Sequence, residues 1–276
     1  LPIDKIRIYS TNTTRIANTS PSAASATADL NGKATLMACE AIKERLKKVV
    51  ISIADTKDQN SDIEIRDGLV FLDSLETKIT WQELISKAFE QRVSLSEHAH
   101  YATPDVRFDW STGKGHPFSY HVYGTSVTQV TVDCIRGNYE IDFVKVVHDY
   151  GQSMNPMIDL GQIEGGIVQG IGWMTCEDVF YDEKGKLRSN ALSTYKIPDI
   201  YAAPKEIDII PLITDKENLA ILQSKAVGEP PLMYGLGTYF AIENAIQSFN
   251  PTVPRRMNAP YTPEKVLLAL YGSKDL

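Results

Sequence analysis

The chain has 276 residues, 43% of them apolar and 23% charged, with a net charge of −7, which is the composition of an ordinary globular protein with one large or two smaller domains. This acidic balance argues against a dedicated nucleic-acid binder, and no nucleic-acid partner is expected. The three cysteines are widely spaced, which argues against disulfides, a zinc site or an iron–sulfur cluster and favours a reducing cytoplasm. The sequence predicts no signal peptide and no membrane-spanning run, so we expect a soluble cytoplasmic protein without membrane contact.

The first part of the chain predicts a strand, a long helix and a hairpin. Residues 4–10 alternate apolar and polar side chains, as a strand does. Ser20 and Pro21 open a long helix in which Cys39 lies among apolar neighbours and is expected to be buried. Residues 51–80, approximately, form an acidic and turn-rich segment that we interpret as a peripheral insertion, with a hairpin turning at Asp67 and Gly68.

The rest of the chain alternates predicted helices with predicted strands. We expect an antiparallel strand pair because apolar residues alternate on both sides of a short polar turn. The pattern predicts an α+β architecture of two sheet-and-helix layers, with two similar lobes at about 1–120 and 121–276 as a further possibility. The predicted elements are a helix at 81–91, an extended segment at 92–101, strands at 120–134, 139–149, 179–181 and 206–213, and helices at 156–177, 230–249 and 262–271.

The helix at 156–177 carries five glycines, at 161, 165, 166, 170 and 172. Each glycine destabilises a helix by about 1 kcal/mol relative to alanine, so the segment needs a compensating reason. Close approach of another element or of a ligand would supply it. A loosely packed or partly non-helical segment is the alternative.

Glu229 lies between Gly228 and the prolines Pro230 and Pro231, where a strand-like run gives way to a helix. Gly228 allows unusual backbone conformations, and proline suits the first helical turn. Amide groups at a helix start favour an ionised carboxylate, which suits a general base. The alternative is that Glu229 only caps the helix.

Four motifs in this order resemble the C-terminal half of the molybdenum domain in the xanthine dehydrogenase family of molybdenum hydroxylases. They are SPSAASATADLNG at 20–32, MNPMIDLGQIEGGIVQG at 154–170, STYKIP at 193–198 and KAVGEPPL at 225–232. The resemblance covers nearly the whole chain, including TPEK at 262–265. It implies a molybdenum–molybdopterin (pyranopterin) cofactor, and the two prolines after Glu229 favour the xanthine dehydrogenases over the aldehyde oxidases.

The resemblance also implies roles for individual residues. Glu229 is the implied general base in the hydroxylation of a purine, such as xanthine or hypoxanthine, at an electron-poor carbon with water-derived oxygen. Gln162 is implied to approach the metal's oxo ligand as a hydrogen-bond donor, although a glutamine early in a helix is otherwise a solvent-facing or capping residue.

Several small or basic residues are candidate cofactor contacts. Small residues at a helix start form an anion site that would suit the phosphate of the pterin, or else a packing surface. Lys225 is a candidate for charge near the cofactor or substrate, against the alternative of a solvated lysine, and Gly228 is a candidate through its backbone. The helix-start candidates are Ala23, Ala24, Ser25, Ala26 and Thr27. No metal-binding spacing is found among the five histidines; His98 and His100 are expected at the surface and His116, His121 and His148 as structural residues.

Family members carry iron–sulfur domains, a flavin domain and the first half of the molybdenum domain ahead of the matching region. We therefore expect the chain to be a fragment or one subunit of a split enzyme, inactive in isolation, with 2Fe–2S and FAD only in other regions or partner subunits, and part of an oligomer. The substrate-orienting residues would lie outside it. An aldehyde or other N-heterocycle hydroxylase, and a non-catalytic cofactor-binding or assembly module, are the alternative functions.

Overall fold

A computed structural model describes residues 1–10, 12–14, 23–54, 61–214, 219–255 and 258–271. Its chain forms two compact units, Leu1–Thr103 and Pro104–Leu276. Helices combine with small antiparallel and mixed sheets, which confirms the predicted α+β class. The two similar lobes at about 1–120 and 121–276 stay a prediction.

The first unit packs helices against a small antiparallel sheet. Its core joins the C-terminal half of the long helix to the sheet and the second helix through Leu46, Val49, Val50, Ile63, Val70, Leu84 and Ala88. The elements are α1 (Thr27–Ile53), β1 (Ile63–Arg66), β2 (Leu69–Leu72), β3 (Leu75–Thr80) and α2 (Trp81–Glu90), with strand order β1-β2-β3.

The predicted hairpin is confirmed, with Ile63 opposite Leu72 and a turn in which Asp67 and Gly68 both have positive φ, 49° and 80°. Such a two-residue turn matches the right-handed twist of the paired strands. Part of the segment predicted as an insertion thus contributes to the core through Ile63. The insertion itself stays a prediction.

Two expectations for the first unit are wrong. Residues 4–10 form no strand; a 3-10 helix, Ile3–Lys5, is followed by irregular chain with Ile8 92% exposed. Alternation alone cannot supply a strand with a hydrogen-bonding partner, and the structure pairs no described strand with this segment. Cys39 is exposed because only the later turns of α1, at Leu46 and beyond, are buried. Ser20 and Pro21, predicted to open this helix, lie outside the described residues.

In its described residues, the second unit combines a hairpin, a three-stranded sheet, three α-helices and short 3-10 helices. β6 (Gly124–Val132) and β7 (Tyr139–His148) pair antiparallel, as predicted, and β8 (Glu206–Pro211) adds to β7 in parallel. The predicted strand at 179–181 is reduced to an isolated bridge between Tyr181 and Leu187. The elements are β4 (Arg107–Asp109), β5 (Lys114–His116), β6 (Gly124–Val132), β7 (Tyr139–His148), α3 (Pro156–Thr175), β8 (Glu206–Pro211), α4 (Leu236–Phe249) and α5 (Pro263–Leu270).

Two apolar clusters stabilise the second unit. In the first cluster, α3 packs on the sheet through Ile163, Ile167 and Ile171, which contact a group of strand residues that includes Val144 and Val146. The second cluster joins α4 and α5. No helix in the described part of the chain has the length and apolar character needed to cross a membrane.

Candidate functional site

Glu229 immediately precedes a 3-10 helix, Pro230–Gly235, which continues into α4. The predicted helix at 230–249 therefore begins with 3-10 turns, which are tighter than those of an α-helix. The two consecutive prolines are compatible with these turns because their φ is fixed in the helical range. The Glu229 side chain makes no capping hydrogen bond to this helix, and the residue is exposed. The capping interpretation of Glu229 is therefore wrong, and its carboxylate is accessible from outside the chain.

The glycines of α3 allow this proline-rich turn to approach the helix closely. A Cβ at Gly166 would lie 3.0 Å from the Cβ of Pro231, and one at Gly170 would overlap the carbonyl oxygen of Leu232. From the other side, a Cβ at Gly235 would lie 2.5 Å from the amide nitrogen of Ile171. Close approach of another element is thus confirmed as a reason for glycine in this helix.

Gln162 lies in the second turn of α3 and is exposed. The N-cap of this helix is Asn155, whose Oδ1 accepts a hydrogen bond from the Ile158 amide at 3.3 Å, so capping by Gln162 is ruled out. Gly161 and Gly165 lie beside it at helical spacing, and a Cβ at either position would meet nothing within 4 Å. The exposure of Gln162 agrees with the solvent-facing alternative, and its contact with a cofactor stays a prediction.

The packing of α3 links the elements that carry Gln162 and Glu229. Gly166 lies one helical turn after Gln162, and a Cβ there would be 3.5 Å from the carbonyl oxygen of Gly228. The structure thus brings the helix of Gln162 into contact with the turn of Glu229. It holds this contact through backbone atoms, which vary less in position than long side chains do.

The helix-start candidates lie in the first unit, immediately before and at the beginning of α1. Ala24 and Ser25 have positive φ, 52° and 56°, and Ala23 and Thr27 are exposed. Ala26 is the N-cap residue and provides no side-chain capping hydrogen bond. Cofactor binding by these residues stays a prediction.

The Lys225 ammonium group forms an ion pair with Asp149, and the two side chains are 6% and 0% exposed. The interpretation of Lys225 as a solvated lysine is therefore wrong. Lys225 Nζ also donates to the carbonyl oxygen of His121 at 3.0 Å. With these partners the charge of Lys225 is compensated within the chain, and a cofactor contact by this residue stays a prediction.

A second buried polar pair lies nearby in the sequence. His148 is fully buried, and its Nδ1 lies 2.6 Å from the Oη of Tyr234. Burial lowers the pKa of His148 and raises the pKa of Tyr234, so both groups are neutral at pH 7. The burial of His148 agrees with the structural role predicted for it, and His98 and His100 are exposed, as expected.

Sequence reasoning missed Asp149 and Tyr234. Asp149 follows a strand of apolar residues, which is a recognisable signal for a polar group at a sheet edge, but nothing in the sequence pairs it with Lys225. Tyr234 lies five residues after Glu229, inside a run that reads as an apolar helix. Within the described ranges, no group of three or more His, Cys, Asp or Glu side chains could hold a metal ion.

Comparison with known proteins gives a consistent family. The family model for a molybdopterin cofactor-binding domain matches residues 1–204. The chain is 38% identical over 270 residues to xanthine dehydrogenase/oxidase of Gallus gallus, covering 96% of this chain and 18% of the relative. It is 34% identical over 273 residues to aldehyde oxidase 1 of Bos taurus, covering 98% of this chain and 19% of the relative.

A solved structure shows the same fold. The Cu,Mo-CO dehydrogenase in its carbon monoxide reduced state superposes with a TM-score of 0.77 at 19% identity, over 96% of this chain and 32% of that chain. The chain thus spans about a fifth of the length of the curated relatives quoted above. The family model ends before Glu229, while the alignments to the two curated relatives extend over nearly the whole chain.

Proposed function

We propose that this chain, which belongs to the family of molybdopterin cofactor-binding domains, forms part of the catalytic site of a molybdenum hydroxylase. Its similarity to xanthine dehydrogenase over 96% of its length supports the proposal. The observation that carries it is the position of Glu229, an exposed carboxylate with no capping role, on a turn held against α3 by glycine contacts.

The side chains at this site fit a polar cofactor that brings its own metal. Glu229 offers an acceptor for protons, and Gln162 offers an exposed amide on a helix where a Cβ at Gly161 or Gly165 would meet nothing within 4 Å. When bound, the molybdenum cofactor supplies the two-electron oxidation and the transfer of water-derived oxygen to the substrate. The protein supplies position, a proton acceptor and a hydrogen-bond donor.

In this mechanism Glu229 accepts a proton at one Oε atom from the water-derived oxygen as that oxygen attacks an electron-poor carbon. The hydrogen and the two electrons of the C–H bond that breaks would pass to the bound cofactor. A base that is already in place avoids the entropy of collecting one from solvent. The fixed turn matters because proton removal and attack must coincide. The packing of Gly166 and Gly170 against this turn supports a carboxylate held within a narrow range of positions.

Gln162 donates a hydrogen bond from Nε2 to the cofactor without adding charge.

Replacing Gln162 by alanine in the complete enzyme is expected to slow reduction of the enzyme by substrate on the order of 100-fold, as loss of one preorganised donor does. Rapid-mixing absorbance measurements under anaerobic conditions give this rate, normalised to molybdenum content. Gln169→Ala is the matched control, since Gln169 is also exposed on α3. An unchanged rate in Gln162→Ala with normal metal content would remove Gln162 from the site.

We propose a purine such as xanthine or hypoxanthine as the substrate. Glu229 is followed by Pro230 and Pro231, the form that resembles the xanthine dehydrogenases, and the identity to xanthine dehydrogenase/oxidase of Gallus gallus, 38%, exceeds the 34% to aldehyde oxidase 1 of Bos taurus. Aldehydes and other N-heterocycles form the second substrate class, which that second relative supports.

The test is a substrate screen with the complete, molybdenum-loaded enzyme. Xanthine, hypoxanthine, benzaldehyde and a purine-free N-heterocycle are compared by kcat/KM. A preference for xanthine or hypoxanthine supports the purine proposal, and a preference for benzaldehyde assigns the chain to the second class. No turnover of any of them by a fully loaded enzyme would instead support a non-catalytic cofactor-binding module.

The remaining parts of the proposal concern the whole protein. We propose that the first half of the molybdenum domain and the 2Fe–2S and FAD modules accompany this chain, in the same polypeptide or in partner subunits. We also propose an oligomer located in the cytoplasm, and contact of the cofactor with Ala23, Ala24, Ser25, Ala26 and Thr27, with Lys225 and with the backbone of Gly228. Sequencing of the flanking coding region and size-exclusion chromatography of the purified complex test the first two statements.

A further inference from the structure

The ion pair between Asp149 and Lys225 is the most buried in the described part of the chain, with side chains 0% and 6% exposed. Every other described pair has at least one side chain more than a third exposed, or both a quarter or more. Further contacts satisfy both groups. Asp149 Oδ1 accepts from the Gly151 amide at 3.1 Å and from Thr214 Oγ1 at 3.5 Å. Lys225 Nζ lies 5.7 Å from the ring centroid of Tyr123.

This pair joins the two segments that lead to the candidate catalytic side chains. Asp149 directly follows β7 and begins the connection to α3, which carries Gln162. Lys225 lies four residues before Glu229. The ion pair therefore connects the segment that leads to Gln162, the proposed donor, with the segment that leads to Glu229, the proposed base.

Backbone hydrogen bonds connect the same two segments. The Lys225 amide donates to the carbonyl oxygen of Tyr150 at 2.9 Å, and the Gln152 amide donates to that of Gln223 at 3.0 Å. Gly151 and Ser224 form an antiparallel bridge between these bonds. The two segments thus form a short antiparallel pair, and the ion pair lies beside it.

Residues in both segments stabilise this antiparallel pair. Gly151 has a φ of +65°, and a Cβ there would lie 3.0 Å from the carbonyl carbon of Ser224 and 3.1 Å from the amide nitrogen of Lys225. The next amide after Lys225, that of Ala226, donates to the Oη of Tyr120 at 3.0 Å. The chain is therefore held by its neighbours up to three residues before Glu229.

We propose that Asp149 and Lys225 are positioning residues, whose buried ion pair fixes the segment that carries Glu229 against the segment that leads to Gln162. The inference rests on the proposed function, because it assigns Glu229 and Gln162 to one reaction. Stability alone does not explain the pair, since replacing a buried ion pair by apolar residues is often neutral or stabilising. A buried pair that holds the chain four residues before a proposed base is better explained by the geometry that it imposes.

The test compares Asp149→Asn, Lys225→Met and the double variant in the complete enzyme. Each single variant leaves one buried group without its partner, so both single variants are expected to lower the unfolding temperature, while the double variant recovers most of that loss. The kcat of all three is expected to fall about 10- to 100-fold with KM changed less than about threefold, because misplacement of a base by about 1 Å has effects of this size.

Hydrogen–deuterium exchange gives a readout that does not depend on turnover. Peptides that cover 219–235 in the molybdenum-loaded enzyme are expected to exchange at least about tenfold faster in the double variant than in the wild type. The reason is that the antiparallel pair loses the ion pair that holds its two segments together. Lys145→Met is the matched control, because Lys145 pairs with Asp208 at 3.8 Å while both side chains are about half exposed. It is expected to leave kcat and the exchange of these peptides unchanged.

Recovery of both stability and kcat in the double variant, with exchange like the wild type, would overturn the positioning role while leaving the proposed function intact. If the double variant fails to fold, Lys225→Arg decides: kcat and exchange nearer to the wild type than in Lys225→Met support positioning, and values no better than Lys225→Met contradict it. A loaded wild-type enzyme that turns over neither xanthine nor benzaldehyde is a failure of the proposed function itself, and it overturns the assignment of the pair to that reaction.

Discussion

Replacing Glu229 by glutamine in the complete enzyme is expected to lower the rate of reduction by xanthine about 100- to 10,000-fold, the usual range for loss of a general base. Glutamine keeps the size of the side chain and one acceptor oxygen, but its second oxygen is replaced by an NH2 donor and it cannot take up the proton. Because the Glu229 side chain makes no capping hydrogen bond, the substitution removes no helix cap. We therefore expect molybdenum content and unfolding temperature to stay close to those of the wild type.

Three measurements on the same preparation separate catalysis from structure: molybdenum per protein, thermal unfolding, and the anaerobic rate of reduction by xanthine. Glu183→Gln is the matched control, since Glu183 is an exposed carboxylate in a surface turn between Tyr181 and Leu187. It is expected to behave as the wild type in all three. A metal-replete Glu229→Gln enzyme that retains more than about a tenth of the normal rate contradicts the role of Glu229 as the base.

The sequence predicts the elements of this fold best where the pattern is local. Alternation along β6 and β7 and the turn at Asp67 and Gly68 depend on neighbours within a few residues, and both are confirmed. The strand expected at 4–10 has the same alternation but pairs with nothing in the described chain, and it forms no strand. Alternation reports that a segment could be half-buried, whereas a strand also requires a partner with free amide and carbonyl groups.

Long-range pairings explain most of what the sequence did not predict. Lys225 and Asp149 are 76 residues apart, and no local pattern shows that the lysine is buried by that carboxylate. The glycine content of α3 correctly indicated that another element approaches this helix closely. It could not show that the approaching residues are Leu232 and Gly235. The site was therefore predictable as a set of residue types on particular elements, and the contacts that fix its geometry were not.

Replacing Gly170 by leucine is expected to destabilise the protein by about 3 kcal/mol or more, at the upper end of the range for overpacking. A Cβ at this position would overlap the carbonyl oxygen of Leu232 and lie 3.1 Å from the Cα of Gly235. Both are backbone atoms, so no side-chain rotation relieves the overlap. The helix and the turn that carries Glu229 must move apart, with loss of the Ile171 contacts in the core.

Gly165→Leu on the same helix is the matched control, since a Cβ at Gly165 would meet nothing within 4 Å. Leucine has a higher helix propensity than glycine, so this variant is expected to be unchanged or more stable by up to about 1 kcal/mol. Thermal unfolding and the soluble yield of the complete enzyme compare the two variants on equal terms. If both variants unfold at the same temperature as the wild type, α3 does not depend on Gly170 to hold the turn. If Gly170→Leu alone is destabilised, the close packing of α3 against the turn stabilises the protein. Because the same turn carries Glu229, the Gly170→Leu enzyme that remains folded is also expected to be reduced by xanthine more slowly than the wild type.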